Sequence, residues 1–506
     1  MAKKSFQSVN GSSLAVSTVE SILVQAEKRE KEYDWLGAVE SYTKALVAIP
    51  EHDSSKKAQV CELLGNALYR AAMQSQNRKE FRERMRRAIT SYEEADRLYI
   101  ESNERLGIAK TSRCKAMVAL IGSWIAPSVS DKKRLIKECW TMMKRALRAF
   151  EDNEFADEYG KTYNQLAANV DFGFFLEWDY HSRESMMKEA VECGNKAISF
   201  LAASKNPHEL ASAYVRTATY LEVFGVYFLG QNEREESFRK ANEYWKKANE
   251  LSEETAMTQL ISVHGGPSWD WGEGTDKAID NFKRALRYVT RSRDRFLIGC
   301  TMDLLAYHTC WRARATEDPD QRFDLAQLGL QYAEEAKRQY FPISFISPSA
   351  GVIWVESPYA EHYWRLAYFE TNLDRKRELL KQAARNAPDM LERAEKSGIP
   401  DLLNYAHHAF SKILAYSARV EADPSVRKKL LEESLEHREE AIKIIEQLNP
   451  YHYWDLGVNQ GSLANIKTDI VDLMDTPEAK KKMLQEAILN KENSRIIVQM
   501  GDSVWT

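Results

Sequence analysis

A packing ladder with a fixed step dominates this chain of 506 residues. Segment 34–46 sets the template: Ala38, Tyr42 four residues later, Ala45 seven later, and then Pro50, where a helix must stop. Positions i, i+4 and i+7 share one helix face. Small residues there let a neighbouring helix approach closely, and the aromatic ring fills the remaining gap. The trio recurs as Ala88/Tyr92/Ala95, Cys139/Met143/Ala146, Ala190/Gly194/Ala197, Ala241/Trp245/Ala248 and Ala278/Phe282/Ala285, the first four of these stepping by 51 residues. A second ladder, Gly65, Ala116, Ala167 and Ala218, keeps the same step of 51 in register with the first. Later units are less regular: Ala326/Leu330/Ala333, Ala387/Leu391/Ala394, Ser434/Arg438/Ala441 and a weak one ending at Ala487.

Helix-breaking signals fall between the ladder segments. Asn77, Ser128 (beside Pro127), Asp179 and Gly230 mark the expected hairpin turns, and Asn103, Asn153 and Pro207 the joins between units. Helices of about 20–22 residues, roughly 30 Å at 1.5 Å per residue, fit between them. Antiparallel pairs of that length cannot bury their apolar stripe alone, so they stack. The expected fold is all-α, an α-solenoid of about ten antiparallel helical hairpins. Scarce glycine (21) and proline (13) argue against an all-β chain full of tight turns.

Trp35, Ala38, Tyr42, Ala45 and Pro50 resemble the second helix of the tetratricopeptide repeat, and Leu64-Gly65 with Tyr69 is similar to its first-helix signal. The resemblance implies a superhelix of helix–turn–helix units with a concave binding face. The step of 51 exceeds the family's 34 and looks like an extended relative. Some tetratricopeptide proteins clamp a terminal carboxylate with Lys and Asn on inner helices. Leu23 and Glu27 stand where the first unit would need such lysines, so the clamp does not carry over.

The organisation expected along the chain is a flexible segment 1–18, regular hairpins over 19–255, irregular units over 256–376, C-terminal hairpins over 377–493 and a tail 494–506. Two loops interrupt the irregular region. In 264–275, four glycines accompany Trp269, Asp270, Trp271 and Glu273, and the ladder step shortens to 37. It reads either as a ligand lip or as a shortened unit whose tryptophans plug a junction. In 340–358, Pro342, Pro348 and Pro358 forbid a continuous helix, and the apolar loop must be covered by something. The tail's run 494–500 reads as β-like. A packed strand, a dimer contact and a lead into a further domain all fit it.

Net charge is −4, from 71 basic and 75 acidic residues, which gives no reason to expect nucleic acid as the main partner. Six scattered cysteines without zinc-knuckle spacing read as core filler in a reducing cytoplasm. No leader-like apolar run and no stretch of about 18 apolar residues occurs, so no membrane span is expected. Basic runs at 78–87, 132–134 and 480–482 read as solvated faces.

Catalytic and cofactor motifs are wanting. Gly160-Lys161-Thr162 has Phe155 where a phosphate-binding loop needs glycine, and Gly272-Glu273-Gly274 lacks a third glycine. His407 and His408 are adjacent, hence about 100° apart on a helix, and cannot share one metal. A non-catalytic scaffold without cofactor or metal is expected, holding a protein or peptide on its concave face; self-association is compatible with this. Candidate contacts are Asn66, Tyr69, Arg113, Asn164 and Asp171 near the small residues of the first helices, with Trp269 and Trp271 in the loop. The alternatives are a small-molecule sensor or enzyme using Trp269, Asp270, Trp271, Glu273 and His308, or the regulatory arm of a larger signalling protein.

Overall fold

A computed structural model describes residues 8–102, 106–149, 156–203, 206–263, 273–340, 358–448 and 453–505. Among these residues there are twenty helices and no strand. The first four hairpins pair α1 (Ser8–Lys31) with α2 (Trp35–Ala48), α3 (Ser54–Met73) with α4 (Arg78–Ser102), α5 (Gly107–Trp124) with α6 (Val129–Ala149), and α7 (Ala156–Leu176) with α8 (Tyr180–Leu201). Next come α9 (Pro207–Phe228) with α10 (Gln231–Leu251), the short α11 (Glu253–Val263) with α12 (Glu273–Ser292), and α13 (Arg295–Ala315) with α14 (Pro319–Tyr340). The last three pair α15 (Pro358–Phe369) with α16 (Leu373–Ser397), α17 (Pro400–Val420) with α18 (Pro424–Leu448), and α19 (Tyr453–Val471) with α20 (Pro477–Trp505).

Local chemistry starts these helices where turns were expected. Asn77, Ser128, Asp179 and Gly230 each immediately precede a second helix. Asn77 Oδ1 accepts from the Glu80 amide at 3.0 Å, and Asp179 Oδ1 from the Ser182 amide at 2.8 Å, satisfying donors that a helix start leaves open. Pro207 opens α9 at its first position, where its missing N–H costs nothing. Asn103 and Asn153 lie outside the described residues.

The two ladders meet within hairpins. Every trio residue from Ala38 to Ala285 named above whose side chain is not glycine is buried. A Cβ on Gly65 would lie 2.8 Å from the Tyr92 ring, so the glycine of α3 is the seat of the aromatic of α4. In the fourth unit Gly194 takes the aromatic's place and Thr217 of the next hairpin fills the space. Gly65→Ala should therefore cost about 1–3 kcal/mol through overpacking, against roughly 1 kcal/mol of helix propensity in its favour. Guanidinium unfolding checks this; a raised midpoint would mean that Tyr92 swings aside freely.

Each hairpin packs on its neighbours along the chain, and first helices also touch the first helices of adjacent units from α7 through α17. In a curved stack the layer whose members approach most closely is the inner one, so the first helices line the concave side. The coil also returns upon itself. Tyr33, in the turn of the first hairpin, donates to Glu254 of the sixth. Gln74, after α3, donates to the carbonyls of Tyr33 at 3.0 Å and of Ser292 at 2.7 Å. Trp124 of the third hairpin meets Phe296 of the seventh edge-on at 5.5 Å, and Arg183 of the fourth pairs with Asp401 of the ninth at 2.9 Å. The superhelix thus completes a turn in about five hairpins, and its successive turns are in contact.

Within the segment 1–18 the chain is helical from Ser8 onward. One expectation requires correction. The β-like run 494–500 belongs to α20, where Ile497 packs with Ile442, Ile445, Leu456 and Leu463. β-branching costs only tenths of a kcal/mol per residue in a helix, and that apolar contact outweighs it. The loop 340–358 lies outside the described residues except for its ends, in α14 and α15, and α12 begins inside the other loop at Glu273.

Candidate functional site

Most of the first-half candidates are engaged inside the chain. Arg113 of α5 pairs with Glu62 of α3 at 2.8 Å and with Glu158 of α7, bridging three successive inner helices. Asn164 is buried; its side-chain amide donates to Ser212 at 3.3 Å and its backbone carbonyl accepts from Arg216 at 3.0 Å. Tyr69 is half-buried near Trp124, Asp294 and Arg216, and burial pushes its phenol up to about 12. Asn66 is half-buried one turn earlier on α3, and Asp171 is carried by α7. Trp269, Asp270 and Trp271 lie outside the described residues. His308 packs its ring 5.3 Å from Phe282, and burial lowers its pKa to about 4, so it serves the core.

A denser polar cluster occupies the inner helices of hairpins seven to ten. Glu361 and Arg365 stand one turn apart on α15, with Arg365 Nη2 3.1 Å from the carboxylate. Tyr405 of α17 donates to the same carboxylate, and Lys412 Nζ of α17 lies 3.8 Å from it. Despite burial, the two cations hold Glu361 down at about 2. Burial in turn brings the Lys412 ammonium down to about 8. Arg438 reaches inward from α18 and is 1% exposed. Its guanidinium donates to Ser411 Oγ at 3.2 Å, to the His408 carbonyl at 3.1 Å, to Asn459 at 2.6 Å and to the His408 ring. All four acceptors are neutral, and desolvation lowers its pKa to about 9.

Aromatic rings alternate with these cations. Lys412 Nζ sits 5.1 Å above Trp364, Arg365 lies 5.5 Å from Tyr307, and Trp364 meets Tyr416 at 5.2 Å. Toward solvent, Arg314 covers Trp311 at 4.5 Å and Arg419 covers Tyr416 at 4.9 Å. The result is a cationic, aromatic wall on the concave side, which suits an anionic ligand.

Nearby, Cys310 Sγ lies 3.2 Å from His362 Nδ1, a spacing that a thiol–imidazole pair would use. Burial pushes the thiol up to about 11 and the imidazole down to about 3, so the pair stays neutral and unactivated. All six cysteines are buried and free. His407 approaches His437 at 2.9 Å while His408 meets Asn459 at 2.8 Å, so the adjacent histidines do point apart. Among the described residues no group of three metal-ligating side chains converges, and no helix is long and apolar enough to cross a membrane.

None of the sequence-level candidates falls in this cluster, although one signal was present. At Ser434/Arg438/Ala441 the ladder's middle position, uncharged in every other named trio and aromatic at Tyr42, Tyr92, Trp245 and Phe282, is arginine. Lys412 is similarly the lone charge in the run from Ala406 to Tyr416 apart from two histidines.

No protein-family model matches the chain, and no curated protein matches it in sequence. Among solved structures it is similar to the human IFIT1 dimer with m7Gppp-AAAA, at 14% identity over 89% of this chain and 91% of that one, with a TM-score of 0.36. It is similar to BtubC (BKLC) from P. vanneervenii, at 18% identity over 50% and 85% with a TM-score of 0.31. A circular tandem repeat protein aligns over 97% and 98% at 12% identity, with a TM-score of 0.20. The chain is an all-α helical repeat solenoid.

Proposed function

We propose that this chain is a non-catalytic binding scaffold, a long-period relative of the tetratricopeptide repeat working in the reducing cytoplasm. Its concave face in hairpins seven to ten captures an extended acidic segment of a partner protein. The observation that carries this reading is the charge balance of the inner wall. Among the described residues, the one carboxylate ion-paired to the set Arg365, Lys412 and Arg438 is Glu361, within 3.1 Å of Arg365 and 3.8 Å of Lys412, while Arg438 has only neutral hydrogen-bond acceptors. Charges withdrawn from water need a counter-ion, and an incoming anion supplies it. Stacked inner helices suit an extended ligand, since each unit adds one contact strip. The six buried free thiols fit a reducing compartment.

Fluorescence anisotropy with a labelled twelve-residue glutamate-rich peptide tests it on the full chain. Binding should weaken as salt rises, and Lys412→Glu should reduce affinity by about tenfold or more. Lys412 is only partly buried, so the variant's circular dichroism spectrum should match the parent's. Equal binding of a lysine-rich peptide, or an unchanged affinity in Lys412→Glu, would sink the reading.

A further inference from the structure

Not every anion suits this wall equally. The close set holds three cations and one carboxylate. Asp303 of α13, buried near Arg365, does not redress the balance. Its Oδ2 has no hydrogen-bond partner, and burial raises its pKa against the opposing pull of Arg365, which favours the neutral acid over a second counter-charge. One carboxylate from a ligand would neutralise half of the remaining charge. A phosphate monoester, at about −2, would neutralise all of it and offer three acceptor oxygens.

Donors are available for such a group. Arg365 has a side chain only 10% exposed, yet its Nη1 has no hydrogen-bond partner. Lys412 is the cluster's reachable tip, its side chain 23% exposed, and at 3.8 Å from Glu361 its ammonium holds no tight hydrogen bond there. Half-buried Tyr405 and His408 flank it on the same helix. Arg438 lies behind, hydrogen-bonded to neutral groups alone, adding field without competing for the ligand. Arg314, stacked on Trp311 and exposed, extends positive charge toward solvent, whereas Arg419, over Tyr416, is paired with Asp469 at 3.1 Å.

We infer that the Arg365–Lys412–Arg438 cluster is a phosphate-monoester site that reads a phosphorylated side chain on the captured segment. This rests on the scaffold reading above and narrows its ligand from acidic to phosphorylated. Arginine and lysine contact the phosphate oxygens, the phosphate replaces water on Lys412, and no bond is made or broken.

The test uses the full chain and four probes at matched ionic strength: inorganic phosphate, acetate, a nine-residue peptide with a central phosphoserine, and its glutamate twin. Thermal unfolding should rise more with phosphate than with acetate. Calorimetry should give the phosphoserine peptide about a tenfold advantage over the glutamate twin. Lys412→Met should remove that advantage, and Lys412→Arg should keep most of it, which separates loss of the contact from loss of the fold. Equal binding of the two peptides would overturn the phosphate assignment while leaving the acidic-segment scaffold standing. Failure of both peptides would overturn both. A 5′-phosphorylated tetranucleotide binding about tenfold tighter than the phosphopeptide would overturn the assignment to a protein side chain.

Discussion

Replacing Asp401 with alanine should lower the stability of the chain by about 3 kcal/mol, the cost of stranding a buried cation. Arg183 of α8 is 2% exposed and bonds both carboxylate oxygens of Asp401, at 3.1 and 2.9 Å. Its guanidinium also rests 4.3 Å over the Phe174 ring, which holds the charge in place once the carboxylate is gone. The pair joins hairpins 218 residues apart, so its loss also acts on the contact between superhelical turns. Denaturant unfolding measures the first effect and solution scattering the second, as an increase in radius of gyration. Arg183→Met combined with Asp401→Ala should recover much of the loss, because no charge is then stranded. A loss below about 1 kcal/mol would place the pair with solvent-screened surface bridges. The apolar contacts between turns, Val129 against Gly398 and Trp124 against Phe296, would then be what holds them together.

Glu222→Gln should stabilise the protein at neutral and alkaline pH. Glu222 of α9 is 5% exposed, with the Trp245 indole donating to it at 3.0 Å. Burial raises its pKa from 4.5 to about 8, the indole hydrogen bond opposing only in part. The folded chain therefore keeps a proton that the unfolded chain gives up above about pH 4.5. Stability from this group is fully present below that pH and is lost as pH rises through about 8. At about 1.36 kcal/mol per pH unit, the loss between pH 5 and 8 is roughly 3–4 kcal/mol. Glutamine retains the acceptor for Trp245 and has no proton to lose. Unfolding free energies of parent and variant should thus converge near about pH 5 and diverge toward about pH 8. Parallel curves would show that Glu222 is hydrated and ionises normally.

The sequence carried the hairpins because their signals are short-range. Ala88, Tyr92 and Ala95 share a face by helix geometry alone, and Asn77 caps the helix three residues from its own side-chain contact. Gly65 was legible for the same reason, since it faces Tyr92 within one hairpin. The 494–500 run misled because β-branching is a weak local preference, and the contact of Ile497 with α18 and α19 is not local. The ion pairs of Arg113 were not legible because its partners Glu62 and Glu158 lie 51 and 45 residues away. One repeat of separation is invisible to helix-face reasoning but adjacent in the stack.

The polar cluster lay further from view. Glu361 and Arg365 form an ordinary i,i+4 pair in sequence, and nothing local tells that Lys412 and Arg438 join them from two other helices. The arginine in the aromatic slot of the ladder was the one trace, and only the inner curvature gives it meaning.

By itself, then, the sequence determined the helices, their pairing and the order of the stack, all set by contacts within one repeat or between neighbours. Only the tertiary structure decided the radius of the coil, which brings residue 183 to residue 401 and turns three hairpins' isolated charges into one cationic wall. Small rotations between successive hairpins accumulate over the array, and no single repeat encodes their sum.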